Sequence, residues 1–305
     1  MRLLLGTRGS ALARTQSRMV ADDLEAAARA KGIDLTVELH IVTTEGDTTT
    51  TPLTGQSSVG VFVSALRTAL LAGECDIAVH SLKDMPVGPA EGIELAAIPV
   101  REDARDALCA AGKTLAELPH GAKVGTGSPR RSAQLLAARP DLEVHGLRGN
   151  VDTRLKAVGE RFDAVVLAAA GLNRIGRADA VSQLLAHDVM VPAPGQGALA
   201  VEIRSDADAT VADAVRLLDD LPTRAAVTAE REALRVLEAG CAAPVGAYAR
   251  VQGSRLRLHA RVISPDGALQ LNEVGSGPLS EAGAIGRAAA HALLGRGASR
   301  LMRST

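Results

Sequence analysis

Aromatic side chains are almost absent from this chain: Phe62, Phe162 and Tyr248 are the only three, and tryptophan does not occur. Single-stranded nucleic-acid binders stack bases on aromatic platforms, so that class of function loses its usual means. Neither sign of charge dominates, with Lys+Arg 34 against Asp+Glu 35 and a formal net charge of -1. No global field therefore holds the protein on DNA or on an anionic membrane, and electrostatic recognition has to be local. Three cysteines, Cys75, Cys109 and Cys241, form no CxxC or metal-type spacing, which argues against a disulfide frame and against a zinc site. No stretch nears the roughly 18 uninterrupted apolar residues of a membrane helix, and the apolar part of MRLLLGTRGS is too short for a signal peptide. A soluble, cytoplasmic protein is expected.

What is present is 305 residues, 47% of them apolar, enough for two or three domains rather than one core. The arginines have a pattern. Arg8, Arg130, Arg131, Arg148, Arg154 and Arg174 each stand where a strand-like apolar run gives way to a small-residue turn and a helix-like run. Such junctions already favour anions, through unpaired backbone N–H groups, a partial positive charge and Ser or Thr capping. A guanidinium adds a forked donor that matches a carboxylate or phosphate. Any one of these arginines could be an ordinary solvated charge. Six at equivalent junctions imply a basic cleft for a small polyanion.

Three signals recur in the same order in two segments. Gly6-Thr7 with Ser10 is echoed by Gly125-Thr126 with Ser128. Val37-Glu38-Leu39-His40 matches Leu142-Glu143-Val144-His145, and Asp76-Ile77-Ala78-Val79 matches Asp163-Ala164-Val165-Val166. Helical periodicity lies between them, over Ala11 to Ala30 and Val61 to Leu71, so each segment reads β-α-β-α-β. The expectation is an α/β protein of two similar lobes with mixed, mostly parallel sheets, plus a small α+β C-terminal domain. Lobe 1 takes residues 1–98 and 199–218, because the strand at Ala198 to Ile203 returns to it; lobe 2 takes 103–193; the third domain takes 222–305. In the last, a helix over Thr223 to Ala239 precedes strands at Val245 to Val251, Leu256 to Ile263 and Ala268 to Val274, and a helix runs from Ser280 to Leu294. Ligands of such lobes bind outside the carboxyl ends of the strands, where the arginines lie.

Three places could do chemistry. Cys241, in Leu237-Glu238-Ala239-Gly240-Cys241-Ala242-Ala243-Pro244, sits in a loop, and is either a nucleophilic thiol or a small residue packed beneath that loop. Asp84, in His80-Ser81-Leu82-Lys83-Asp84-Met85-Pro86, is either a carboxylate kept ionised by nearby cations and able to steady positive charge, or a helix-start cap. Lys83 pairs with a ligand carboxylate or with Asp84 itself. In Leu147-Arg148-Gly149-Asn150-Val151-Asp152-Thr153-Arg154, Asn150 caps a helix while Arg148 and Arg154 reach one anion. Asp152 tempers that anion site or pairs with an arginine. Residues 43–60 form a long polar loop, read as a lid or as surface disorder. Cys75 and Cys109 read as inert core thiols, and His80 as a polar core residue or a catalytic one.

These motifs, from GTRGSALARTQ through HSLKDMP, REDARDA, GTGSPRR, LRGNVDTRL, LAAAGLNRIG and PAPGQGA to LEAGC, resemble the porphobilinogen deaminase family over about four-fifths of the chain. The resemblance implies two lobes like those of periplasmic binding proteins and a third domain with a cysteine loop. It implies that Cys241 carries a dipyrromethane cofactor as a thioether, that porphobilinogen loses ammonia to give an electrophilic azafulvene, and that four additions yield hydroxymethylbilane. It gives Asp84 and Lys83 catalytic roles and makes Arg8, Ser10, Lys83, Thr126, Ser128, Arg130, Arg131, Arg148, Gly149, Asn150, Arg154, Arg174 and Gln196 cofactor and substrate ligands. Phe62 belongs to a lid, no metal is required, and the protein acts as a monomer. The segment Leu53 to Phe62 departs from the family by lacking lysines. A two-lobed solute-binding module without catalysis competes with this reading but leaves Cys241 and Asp84 without a task.

Overall fold

The computed structural model describes residues 1–42, 58–239 and 243–303. Its contacts divide the chain into two compact units, Met1–Arg101 with Ala198–Arg224, and Glu102–Gly197 with Ala225–Thr305.

The first unit is built on a five-stranded sheet of β1 (Arg2–Thr7), β2 (Thr36–Ile41), β3 (Ile77–Ser81), β4 (Ile93–Ala97) and β10 (Leu199–Arg204), in the order β2-β1-β3-β10-β4. β1 runs parallel to β2 and β3, whereas β10 runs antiparallel to β3 and β4. The leucine run of β1 is unbroken because both faces are covered. Leu3 and Leu5 pack with Val20, Ala21 and Leu24 of helix Ala11–Ala30. Leu4 packs with Leu66 and Leu70 of helix Ser58–Leu71 on the opposite face. Each buried leucine contributes about 1.5–3 kcal/mol.

The second unit repeats the plan. β5 (Asp106–Cys109), β6 (Lys123–Gly125), β7 (Glu143–His145), β8 (Ala164–Ala168) and β9 (Gln183–Leu184) form the order β7-β6-β8-β5-β9. β6 is parallel to β7 and β8, and β5 is antiparallel to β8 and β9. The correspondence extends to register: Gly6 faces His40 and Ala78, and Gly125 faces His145 and Val165. The recurring signals of the sequence are thus the same three strands of two mixed sheets. The place held by β5 in one sheet is held in the other by β10, which the chain reaches only after building the second sheet.

The second unit also holds an antiparallel meander of β11 (Val245–Gln252), β12 (Arg255–Ile263) and β13 (Gln270–Pro278). Helices Leu221–Val236 and Ala282–Gly295 cover one face, with Ala233, Leu256, Leu258, Val262 and Leu293 in the core. Two of the boundaries that differ from those the periodicity predicts do so for a local reason. The first helix stops at Val236, short of Glu238, which takes φ 50. β13 continues past Val274 because Gly275 and Gly277, which look like turn residues, lie against Ile285, where an added Cβ would come within 2.9 and 3.0 Å. The meander seats directly on the second sheet's domain: an added Cβ on Gly246 would meet the Val191 carbonyl at 2.7 Å, and the Ala247 N–H donates to Pro192. No helix among the described residues is long and apolar enough to cross a membrane.

Candidate active site

In both units several of the sequence-predicted groups lie at the carboxyl ends of the parallel strands. In the first, β1 ends at Thr7 and leads through half-buried Arg8 to Ser10, whose Oγ caps helix Ala11–Ala30 by accepting from the Ala13 N–H. The neighbouring β3 ends at Ser81, and a single 3-10 turn, Leu82–Asp84, presents Lys83 and Asp84, both half-buried. Backbone bonds close that turn, the Met85 N–H donating to Leu82 at 3.1 Å and the Leu82 N–H to Ala198 at 3.0 Å. Asp84 is therefore a residue of the turn itself and does not cap a following helix.

Behind this turn lies an ion cluster that no motif announced. Glu202 of β10, buried, accepts two bonds from Arg67 at 3.0 and 2.6 Å, and its Oε2 stands 3.1 Å from His80 Nε2. Burial pushes the Glu202 carboxyl up, but His80 and Arg67 outweigh it and hold it below its ordinary value. His80 is accordingly a paired polar residue of the core. Glu202 was legible only as a charge inside the apolar run LAVEIR.

In the second unit a groove of about 510 Å³ opens at the ends of β6 and β7, lined by Thr126, Gly127, Ser128, Ser132, His145 and Arg148 among others. Ser128 caps helix Pro129–Ala138 by accepting from the Arg131 N–H, so the positive end of the helix dipole lies at the groove. A hydroxyl that accepts a cap bond keeps its O–H to donate to a ligand. Gly127 has no room for a side chain, since a Cβ would stand 2.7 Å from the Leu147 carbonyl. Beyond it, Arg148 is exposed, Asn150 Oδ1 caps helix Val151–Lys156 from 2.8 Å, and Arg154 Nε donates to the Gly149 carbonyl at 2.8 Å. Gly149 takes φ 118, with Thr153 against the position of a Cβ. Asp152 pairs with Arg177 at 2.7 Å, which resolves the question left by the sequence: it neutralises an arginine outside the motif.

Arg130 and Arg131 are placed otherwise than their motif suggests. Both are buried, at 3% and 6% exposure, and both turn onto Asp106, which is 0% exposed. Arg130 Nη1 donates to Asp106 Oδ2 and to the Val191 carbonyl at 2.8 and 2.7 Å; Arg131 Nε donates to Asp106 Oδ1 at 2.8 Å. Gln196 joins them, its Nε2 donating to the same oxygen at 3.0 Å and to Ala104 at 2.8 Å. Burial opposes ionisation of Asp106, yet the two guanidiniums hold its carboxyl well below the usual range. These three ligands expected from the resemblance thus have internal partners. Arg174 is half-buried and donates from Nη2 to the Gly197 carbonyl at 2.7 Å; Gly197, at φ 89, would place a Cβ 2.4 Å from the Glu102 carbonyl.

Cys75 and Cys109 are buried, and burial pushes each thiol up to about 11, so both are inert core groups. Cys241 and residues 43–57 lie outside the described residues, as does the side chain of Phe62, whose backbone belongs to helix Ser58–Leu71. No cluster able to hold a metal ion occurs among the described residues.

The fold defines a duplicated α/β protein with mixed sheets and an added α+β domain, its polar groups gathered at strand ends. Residues 3–212 match the family described as porphobilinogen deaminase, dipyromethane cofactor binding domain, and residues 224–295 the porphobilinogen deaminase C-terminal domain. The chain belongs to the porphobilinogen deaminase family. It is 52% identical to the porphobilinogen deaminase of Thermobifida fusca over 98% of this chain and 95% of that one, and 54% identical to that of Leifsonia xyli over 88% and 82%. Among solved structures it is similar to a YaeC-family lipoprotein of Enterococcus faecalis, at 14% identity and TM-score 0.43, over 72% of this chain and 91% of that one.

Proposed function

We propose that this protein is a transferase that deaminates four porphobilinogen molecules and joins them head to tail on a dipyrromethane primer, releasing hydroxymethylbilane and ammonia. Two lobes and a third domain, the division expected from the sequence, share the work. The observation that carries the reading is the groove at Thr126, Ser128 and Arg148, where a helix N-terminus, hydroxyl donors and an exposed guanidinium converge. That donor set fits pyrroles, each of which bears two carboxylates, and it fits the covalent primer for the same reason. The primer, tethered as a thioether to Cys241, supplies a free pyrrole carbon on which the chain grows.

The chain's own groups divide the remaining tasks. Arg148 and Arg154, with Asn150 and Gly149 setting their backbone, bind carboxylates of the lengthening product. Arg8, Ser10 and Arg174 do the same from other strand ends. Lys83 meets a carboxylate, and Asp84 accepts from pyrrole N–H groups and steadies the positive charge that appears as ammonia leaves. Arg130 and Arg131, on the helix that Ser128 caps, gather with Gln196 on buried Asp106 and fix that helix behind the groove's hydroxyl donors. The lid role of Phe62 and residues 43–60 belongs to this reading as well. So does a cytoplasmic monomer without nucleic-acid or membrane partners, a view supported by the near-zero net charge and the scarcity of aromatics.

Intact-mass measurement of the purified protein tests the proposal. The expected result is an added mass of two linked pyrroles, lost in Cys241→Ser and retained in Cys75→Ala and Cys109→Ala. An active protein of unmodified mass would refute it.

A further inference from the structure

Helix Pro129–Ala138 lines the groove with its N-terminal end, through Ser128, Pro129 and Ser132, and is held further along by buried Gln134. Gln134 Oε1 accepts from the Val191 N–H at 2.8 Å, and its Nε2 donates to the Val191 carbonyl at 3.1 Å. The same Oε1 accepts from Arg261 Nη1 at 3.0 Å. Arg261 belongs to β12, on the face turned away from the helices that cover the meander, and is 8% exposed. Its other donors meet the carbonyls of Asp188 and Val189 at 2.8 and 3.3 Å and Asn272 Oδ1 at 2.8 Å. Every one of these acceptors is neutral. Burial accordingly lowers the guanidinium's hold on its proton, although the charge of Asp188 acts the other way. A cation buried in this manner gives little stability that an apolar side chain of similar length would not match. What it supplies is direction, because a planar fork holds oxygens from three segments in one arrangement. Gly267, in the turn between β12 and β13 at φ 75, abuts the same helix, where an added Cβ would stand 2.6 Å from the Ala133 carbonyl and from the Ala137 nitrogen.

We propose that Arg261 is a positioning residue for the groove: acting through Gln134, it fixes the helix whose N-terminal end carries Ser128 and Ser132, so that the C-terminal domain shapes the site that receives a pyrrole carboxylate. This rests on the reading that acid-bearing pyrroles occupy the groove. The duplicated first unit supplies a comparison. Gln16 follows the Ser10 cap at the same offset at which Gln134 follows Ser128, is likewise buried, and donates from Nε2 to Ser81 Oγ at 3.1 Å, at the end of β3. A glutamine that anchors the capped helix is thus common to both sheets. Arg261 is what the C-terminal domain adds in the second.

Arg261→Met in the full chain tests this, with porphobilinogen as the probe. KM should rise roughly twofold to tenfold, the contribution of one hydrogen bond, with kcat little changed, as expected when ground-state and transition-state binding weaken alike. Arg261→Lys, which keeps the charge but not the fork, should fall between. KM does not depend on the folded fraction, so a loss of stability alone would leave it at the parent's value. Hydrogen exchange followed by mass spectrometry should show faster exchange of the amides of residues 126–138 and no change over residues 1–42. Gly267→Ala, which drives the turn against the same helix without removing a charge, should produce both effects, and it decides the matter if Arg261→Met does not fold. An unchanged KM would overturn the proposal and leave Arg261 a structural residue alone. A raised KM with unaltered exchange over 126–138 would overturn it by placing the effect outside the helix. If the parent protein consumes no porphobilinogen, the reading of the groove fails, and exchange alone decides whether Arg261 positions the helix.

Discussion

Asp76 and Asp163 hold the same position in two different sheets. Asp76 Oδ2 accepts the Leu4 N–H at 2.8 Å, and Asp163 Oδ2 accepts the Lys123 N–H at 2.8 Å. In each case the backbone N–H of the aspartate donates back to the carbonyl of the same partner. The reciprocal pair locks the entry of β3 to β1 and of β8 to β6, two residues before the glycine on each first strand. The register of both sheets, and hence which side chains emerge at their carboxyl ends, depends on it.

Asp84→Ala should keep the fold and lose the reaction. The turn that carries it is closed by backbone bonds, so stability should change by less than about 0.5–2 kcal/mol. Loss of a group that stabilises developing charge should lower turnover by roughly 10²–10³. Urea titration and a porphobilinogen-consumption assay check the two halves, and near-normal turnover would remove Asp84 from the mechanism.

Arg148→Ala should act on binding. The side chain is exposed, so folding stability should shift by no more than about 0.5 kcal/mol. A charged hydrogen bond to a carboxylate contributes about 1.5–3 kcal/mol, equivalent to roughly tenfold to a hundredfold in affinity. Steady-state kinetics should show KM rising, or product chains accumulating at one length; kinetics indistinguishable from the parent would exclude it from the site.

Glu202 should give the protein part of its acid sensitivity. Its carboxyl lies below its ordinary value when folded, so the unfolded chain binds a proton more readily. The stabilisation is complete above the unfolded value of about 4.3 and disappears as pH falls through the lower, folded value. Glu202→Ala, which strands Arg67 and His80, should cost about 3–5 kcal/mol at neutral pH and flatten the stability profile on the acid side. Denaturant melts across that range read both effects, and an unchanged acid limb would mean that other carboxylates dominate.

Gly197→Ala should destabilise by at least about 1–3 kcal/mol, the range for a non-glycine residue in left-handed backbone, with the 2.4 Å approach to Glu102 adding to it. A urea midpoint equal to that of the parent would show that the backbone there relaxes freely.

The regular elements were legible because they follow local pattern. LLLGTRGS and AKVGTGS mark strand, turn and cap within ten residues, and the shared order of repeated signals is enough to indicate the duplication. What stayed hidden depends on residues far apart in sequence. REDARDA offers two aspartates with the look of a solvated surface, and only the antiparallel pairing of β5 with β8 buries Asp106 beside Arg131 while leaving Asp103 with Arg105 near solvent. The pair Arg130-Arg131 therefore looked like open anion ligands. Glu202 gave a fainter sign, since an acid in an apolar strand has to meet a buried partner, but Arg67 and His80 come from a helix and a strand more than a hundred residues earlier.

The exchange of β5 and β10 also fixes an order of events during synthesis. β4 has no neighbour in its sheet except β10, which emerges about a hundred residues later, whereas the strands of the second sheet are all contained between Asp106 and Leu184. A nascent chain can close that later sheet while the earlier one still waits with β3 and β4 unjoined. Of the two five-stranded sheets, the one begun first is completed second, and a chain that has emerged from the ribosome only as far as residues 185–198 would display one finished sheet and one open edge.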